Sequence, residues 1–98
     1  MTDKARIELL NINHPGKTWA ADAAMYAAMK AAILALLPDG KPGLTVAQIQ
    51  ARVPALLPEN LYPGGAKAGW WVKAVQLDLE ARSIIRREKV SPLRLHKA

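Results

Sequence analysis

The chain contains no cysteine. That excludes a disulfide framework, a thiolate metal site and a cysteine nucleophile, and it fits a reducing compartment. Its first residues, Met1-Thr-Asp-Lys-Ala-Arg-Ile-Glu8, offer no apolar h-region of the kind a secretory signal carries. Long hydrophobic runs are missing too. The most apolar stretch, Trp19 to Leu37, is mostly alanine and holds Asp22 and Lys30 within it, which argues against a membrane helix. The expectation is a cytoplasmic protein with no membrane partner. His14 and His96 are isolated, so neither metal-ligand spacing nor a triad is present, and no metal or other cofactor is expected. Asp78 and Glu80 stand two apart on a helical pattern and point in different directions, so they do not form a carboxylate dyad. The glycines before Lys67 lack the spacing of a nucleotide P-loop. No residue is assigned a catalytic role, and the chain is not expected to be an enzyme.

What is present is organised by charge. Residues 65–98 carry Lys67, Lys73, Arg82, Arg86, Arg87, Lys89, Arg94 and Lys97 against Asp78, Glu80 and Glu88, a net of +5 out of the chain's +6. Positive charge concentrated on one unit is the footprint of a nucleic-acid binder, since phosphate contacts supply most sequence-independent affinity. The plain alternative is a sheet edge protected by charge from pairing with other strands. With 98 residues the chain is long enough for one domain and a single modest core, because 18 of its hydrophobic residues are alanine.

Periodicity places the elements. Residues 6–13 read as a short strand or extended arm closed by the turn His14-Pro15-Gly16. Asp22 is a good N-cap for a first helix running to Leu37 before Pro38, with Tyr26, Met29, Ile33, Leu36 and Leu37 as its core face. Thr45 and Gln48 have capping-box spacing and open a second helix whose Val46, Ile49 and Val53 face inward. Leu56 and Leu57 extend that helix past a kink at Pro54, and the rest of Pro54 to Gly65 is irregular. A third helix spans about Ala66 to Arg82, with Trp71, Val72, Val75 and Leu79 on one side. Ile84 to Lys89 then turns strand-like, Val90-Ser91-Pro92 supplies a turn, and Leu93-Arg94-Leu95-His96 alternates apolar with basic. The expectation is an α+β, winged-helix-like fold over residues 1–98. It consists of an N-terminal arm or strand (1–18), three helices and a C-terminal β-hairpin wing, with the third helix and wing at 65–97.

The residues Leu61-Tyr-Pro-Gly-Gly65, Gly69-Trp-Trp-Val-Lys73, Val75-Gln-Leu-Asp-Leu-Glu-Ala81 and Pro92-Leu-Arg94 resemble a family of small bacterial proteins of unknown function. The resemblance extends over nearly the whole chain, including Asn13-His-Pro-Gly16 and Pro42-Gly-Leu-Thr45. More distantly, Leu79 to Arg87 is similar to the helix-to-wing junction of winged-helix regulators, which often have Gly where this chain has Ser83. The first resemblance implies a fold and no activity. The second implies either DNA binding or protein interaction, since fold alone does not choose between them.

The candidate nucleic-acid contacts are Lys67, Lys73, Arg86, Arg87, Lys89, Arg94 and Lys97, with DNA the favoured partner. Lys67 follows Gly64-Gly65 at a helix start, where free backbone amides favour anions. Leu93 and Leu95 are expected to pack inward and to turn Arg94 and His96 outward. Asp78 and Arg82 are spaced for a surface ion pair. A second apolar stripe on the third helix, Trp70, Ala74, Leu77 and Ala81, lies about 140° from the first. Three covers are open for it: the arm at Ile7 to Ile12, the Leu61-Tyr62 loop, or a second subunit. Burial under the chain's own arm or loop is the expectation for Trp70. A dimer or protein interface at Trp70 and Leu77 is the alternative.

Overall fold

The computed structural model describes residues 5–98, so residues 1–4 of the expected arm lie outside the described residues. Strand β1 (Arg6–Leu9) pairs antiparallel with β2 (Trp19–Asp22), from Arg6 opposite Asp22 to Leu9 opposite Trp19. The expected arm is thus one half of a hairpin. Its partner is a strand that the alanine-rich sequence reads as part of the approach to a helix. Local propensity there is overridden by the ladder hydrogen bonds that β1 offers.

Asp22 ends β2 and caps helix α1 (Ala23–Leu36), its Oδ1 accepting from the Met25 amide at 3.0 Å. Tyr26, Met29, Ile33 and Leu37 are buried on the side of α1 that packs against the third helix. Leu36 is only half-buried, at the margin of that face. After a loop come β3 (Leu44–Thr45) and helix α2 (Val46–Arg52). The capping box forms as its spacing predicts: the Gln48 amide donates to Thr45 Oγ1 at 3.1 Å, and the Thr45 amide donates to Gln48 Oε1 at 2.9 Å. Ile49 and Val53 are buried and Val46 half-buried.

α2 does not continue past Pro54. Proline has no amide to donate into the helix, and the chain tightens into a 3₁₀ turn over Val53–Leu56 that leaves Leu56 exposed. The irregular segment that follows is anchored by Tyr62. That side chain is buried, donates its hydroxyl to the Met25 carbonyl at 2.8 Å and meets the Trp71 ring edge-on at 6.4 Å. The insertion between α2 and the third helix therefore supplies a core residue that locks α1 to that helix.

Helix α3 (Ala68–Ala81) buries Trp71, Val72, Val75 and Leu79, together with Ala68. It ends where Ser83 takes φ of +61°, the left-handed region that glycine adopts most easily. Strands β4 (Ile85–Glu88) and β5 (Arg94–Lys97) form a hairpin, and β3 joins it to give a three-stranded antiparallel sheet in the order β3-β5-β4. Leu95 and Ile85 of that sheet close the core under α3 and α2. The architecture is thus a small α+β unit of three helices and two sheets.

Leu79 has no exposed surface and sits at the centre of this core. Leu79→Ala is expected to cost about 2–5 kcal/mol, as large-to-small core changes do. Chemical denaturation measures it directly. An unchanged midpoint would mean that Leu79 does not pack in the core.

Candidate nucleic-acid interface

All three acids of residues 65–98 point into the molecule. Asp78 is fully buried and accepts from the Leu10 amide at 2.9 Å, from Arg82 Nε at 2.9 Å and from the Tyr26 hydroxyl. Arg82 in turn donates to the Glu8 carbonyl at 2.7 Å. The Asp78–Arg82 pair forms at its i, i+4 spacing, with Arg82 at the surface but Asp78 buried at a junction of α1, α3 and the first hairpin. The reason is tertiary: β1 and Tyr26 bring donors to the acid, and these offset its lost hydration. Burial, then the neighbouring Asp78 carboxylate, push the Tyr26 hydroxyl up to about 12.

Glu80, 5% exposed, accepts from Gln76 Nε2 at 2.8 Å and from both Nε and Nη2 of Arg87, the latter at 3.0 Å. Glu88 is equally enclosed. Its Oε2 accepts from the Gly43 amide at 2.7 Å and lies 3.0 Å from His96 Nδ1. The His96 ring, then the Gly43 amide, hold the Glu88 carboxyl below its usual range. Gly43 is required here, because a Cβ would meet the Leu95 carbonyl oxygen at 2.0 Å and Glu88 Oε2 at 2.6 Å. The chain thereby presses its β3 approach onto the β4–β5 hairpin.

These pairings sort the seven candidate cations. Lys67, Lys73, Arg86 and Lys89 are exposed and make no ion pair or side-chain hydrogen bond among the described residues. Arg87 is engaged by Glu80, and Arg94 donates to the Gly43 carbonyl at 2.8 Å. Lys97 lies 3.5 Å from the exposed Asp39, a pair of the kind that solvent weakens. The expectation that Arg94 and His96 turn outward is corrected: the loop at Gly43 and the Glu88 carboxylate fold over that strand face and draw both side chains in. Lys67 occupies the N-cap position of α3 with φ of +66° and makes no side-chain cap.

The second stripe of α3 is split. Leu77 is buried, lining a cleft floor beside Leu9 and Leu10 of the first hairpin, so it does not offer an exposed interface. Trp70 is not buried as expected but 62% exposed, because the hairpin reaches only the later turns of the helix. Between hairpin and helix runs a groove of about 350 Å³, lined by Leu9, Trp19, Trp70, Lys73, Ala74 and Leu77 among others. Trp19, 46% exposed, is the functional candidate that sequence reasoning missed. Its pairing with Leu9 places it beside α3, and no local pattern announces that pairing. Each indole is steadied by a second ring: Trp70 by Trp71 at 5.2 Å and Trp19 by His14 at 6.4 Å, both edge-to-face.

No group of three or more metal-ligating side chains comes together among the described residues. No helix in those residues is long and apolar enough to cross a membrane. A family of unknown function (DUF6958) matches residues 6–95, so the chain belongs to it. No curated protein and no solved structure matches the chain.

The Glu88 arrangement has a pH signature. A carboxyl held below its usual value of 4.5 adds stability above that pH and loses it as pH falls toward the folded-state value. The stabilisation of the wild type over Glu88→Gln, read as a difference in melting temperature, should shrink as pH falls below about 4.5. A difference that stays flat down to pH 3 or so would remove Glu88 as its source.

Proposed function

We propose that this member of the DUF6958 family is a small nucleic-acid-binding protein, DNA being the favoured partner, built on a winged-helix plan. Support for the plan comes from the element order, three helices followed by a hairpin, and from the short β3 that pairs with the wing strand β5. Support for the function comes from one observation. The acids of α3 and the wing are enclosed and compensated internally, while Lys67, Lys73, Arg86 and Lys89 on or beside the same elements face solvent without an acidic partner among the described residues. The surface of that half is therefore more cationic than its composition implies, and such a surface gathers phosphates.

The mode of binding follows from the hairpin. Because β1 lies against the later turns of α3, through Leu10 on Asp78 and Glu8 on Arg82, the full length of α3 is not free to enter a major groove. Phosphates are reached by the wing and the first turns of α3, and contacts of this kind position the protein without reading sequence. A second reading, a protein-interaction module, is favoured by Trp70, which is 62% exposed beside the apolar groove shared with Trp19.

A salt titration on generic nucleic acid tests the proposal. Released counterions make log K fall linearly with log salt, by about 0.9 per phosphate contact on duplex DNA. Replacing Lys67, Lys73, Arg86 and Lys89 together by Gln should flatten that slope by up to about four contacts' worth and leave the melting temperature unchanged. Arg87→Gln should instead destabilise the fold, because it strands the Glu80 carboxylate. Wild-type protein that binds neither DNA nor RNA at about 50 mM salt overturns the nucleic-acid reading and leaves the interaction module in its place.

A further inference from the structure

The groove between the first hairpin and α3 has a composition that phosphate contacts alone do not use. Trp19 and Trp70 stand at its sides, and Leu9, Ala74 and Leu77 form an apolar lining. Among the described residues Lys73 is the one charged side chain along it, and no acid lines the groove. Asn11 also lines it, with its Oδ1 already accepting from the Asn13 amide at 2.8 Å and its amide hydrogens left to donate. A volume of about 350 Å³ is at the small end of the range that takes small planar ligands.

Resting on the nucleic-acid reading above, we infer that this groove is a stacking site for an unpaired nucleobase, and that the strand is bound single-stranded at this point. An exposed indole offers a π-face to any base, and a neighbouring cation tracks the backbone, which is how single strands are held without sequence preference. Both indoles are already oriented by their edge-to-face neighbours, so little rotamer freedom is lost when a base arrives. Lys73 lies on the same helix face as the groove and supplies the counter-charge for the phosphate of the stacked nucleotide. A base still paired in a duplex cannot enter, because its faces are occupied by its neighbours in the stack.

Tryptophan fluorescence reads this directly, since Trp71 is buried and the other two indoles line the groove. The probes are a short oligothymidylate, an abasic strand of the same length, and a generic duplex, each at low salt. The oligothymidylate should quench the fluorescence, and the abasic strand should bind through its phosphates without quenching. Trp70→Ala and Trp19→Ala should each weaken oligothymidylate binding by about five- to 150-fold, with the far-UV dichroism of the folded protein and its duplex affinity unchanged. If the variants bind the oligothymidylate like wild type, or if the abasic strand quenches equally, the stacking site is overturned while cationic binding stands. If Trp70→Ala turns a dimer into a monomer without changing strand affinity, the groove joins two copies of the chain and the inference fails. If wild type binds none of the three probes, both this inference and the nucleic-acid reading fall.

Discussion

The carboxylate of Asp78 holds the architecture together. It has no exposed surface, yet it sits where α1, α3 and the first hairpin meet, and it takes hydrogen bonds from all three. A buried charge without such partners would cost several kcal/mol. Here the Tyr26 hydroxyl, the Leu10 amide and the Arg82 guanidinium replace the lost water. Because one of those donors is a backbone amide of the hairpin, the hydration debt of a single side chain fixes where β1 lies on α3. That placement covers Leu77 and leaves Trp70 bare. The groove, the split of the apolar stripe and the restricted approach to α3 all descend from it.

The same logic repeats at the other two acids of the C-terminal half. Glu80 draws Arg87 and Gln76 together along one side of α3, and Glu88 draws the Gly43 loop and His96 onto the β4–β5 hairpin. Each acid organises its own neighbourhood and is screened from solvent in doing so. The electrostatic result is a separation: negative charge is internal and structural, while the cations with no structural task remain outside. Arg87 and Arg94, which composition alone groups with the free surface cations, are instead engaged by Glu80 and by the Gly43 carbonyl. The set of exposed, unpaired cations is accordingly smaller than the list of basic residues.

Pairing that surface with two steadied indoles gives the molecule two kinds of attraction in one region. Phosphate contact is long-ranged and salt-sensitive, whereas stacking is short-ranged and depends on a base being free. On the proposed reading, a surface holding both would discriminate by strandedness without reading sequence.

Sequence by itself determined whatever depends on near neighbours along the chain. The Asp22 cap, the Thr45–Gln48 box, the core stripe of α3 and the β4–β5 hairpin all follow from residues within a few positions of one another, and each is found as its spacing implies. The cationic bias of the C-terminal half was legible in the same way. Tertiary structure alone decided the rest. Trp19–Asp22 is a strand because Arg6–Leu9 lies beside it, and no periodicity in four residues of Trp-Ala-Ala-Asp could say so. Asp78 is internal because Tyr26 and Leu10, 52 and 68 positions away, bring it donors. Arg94 turns inward because a glycine 51 positions earlier presses its carbonyl onto the strand. Trp70 stays exposed because the hairpin that covers Leu77 stops short of it. A side chain's partners across the fold, and so its burial, are set by contacts that close long loops, and these leave no local trace in the sequence.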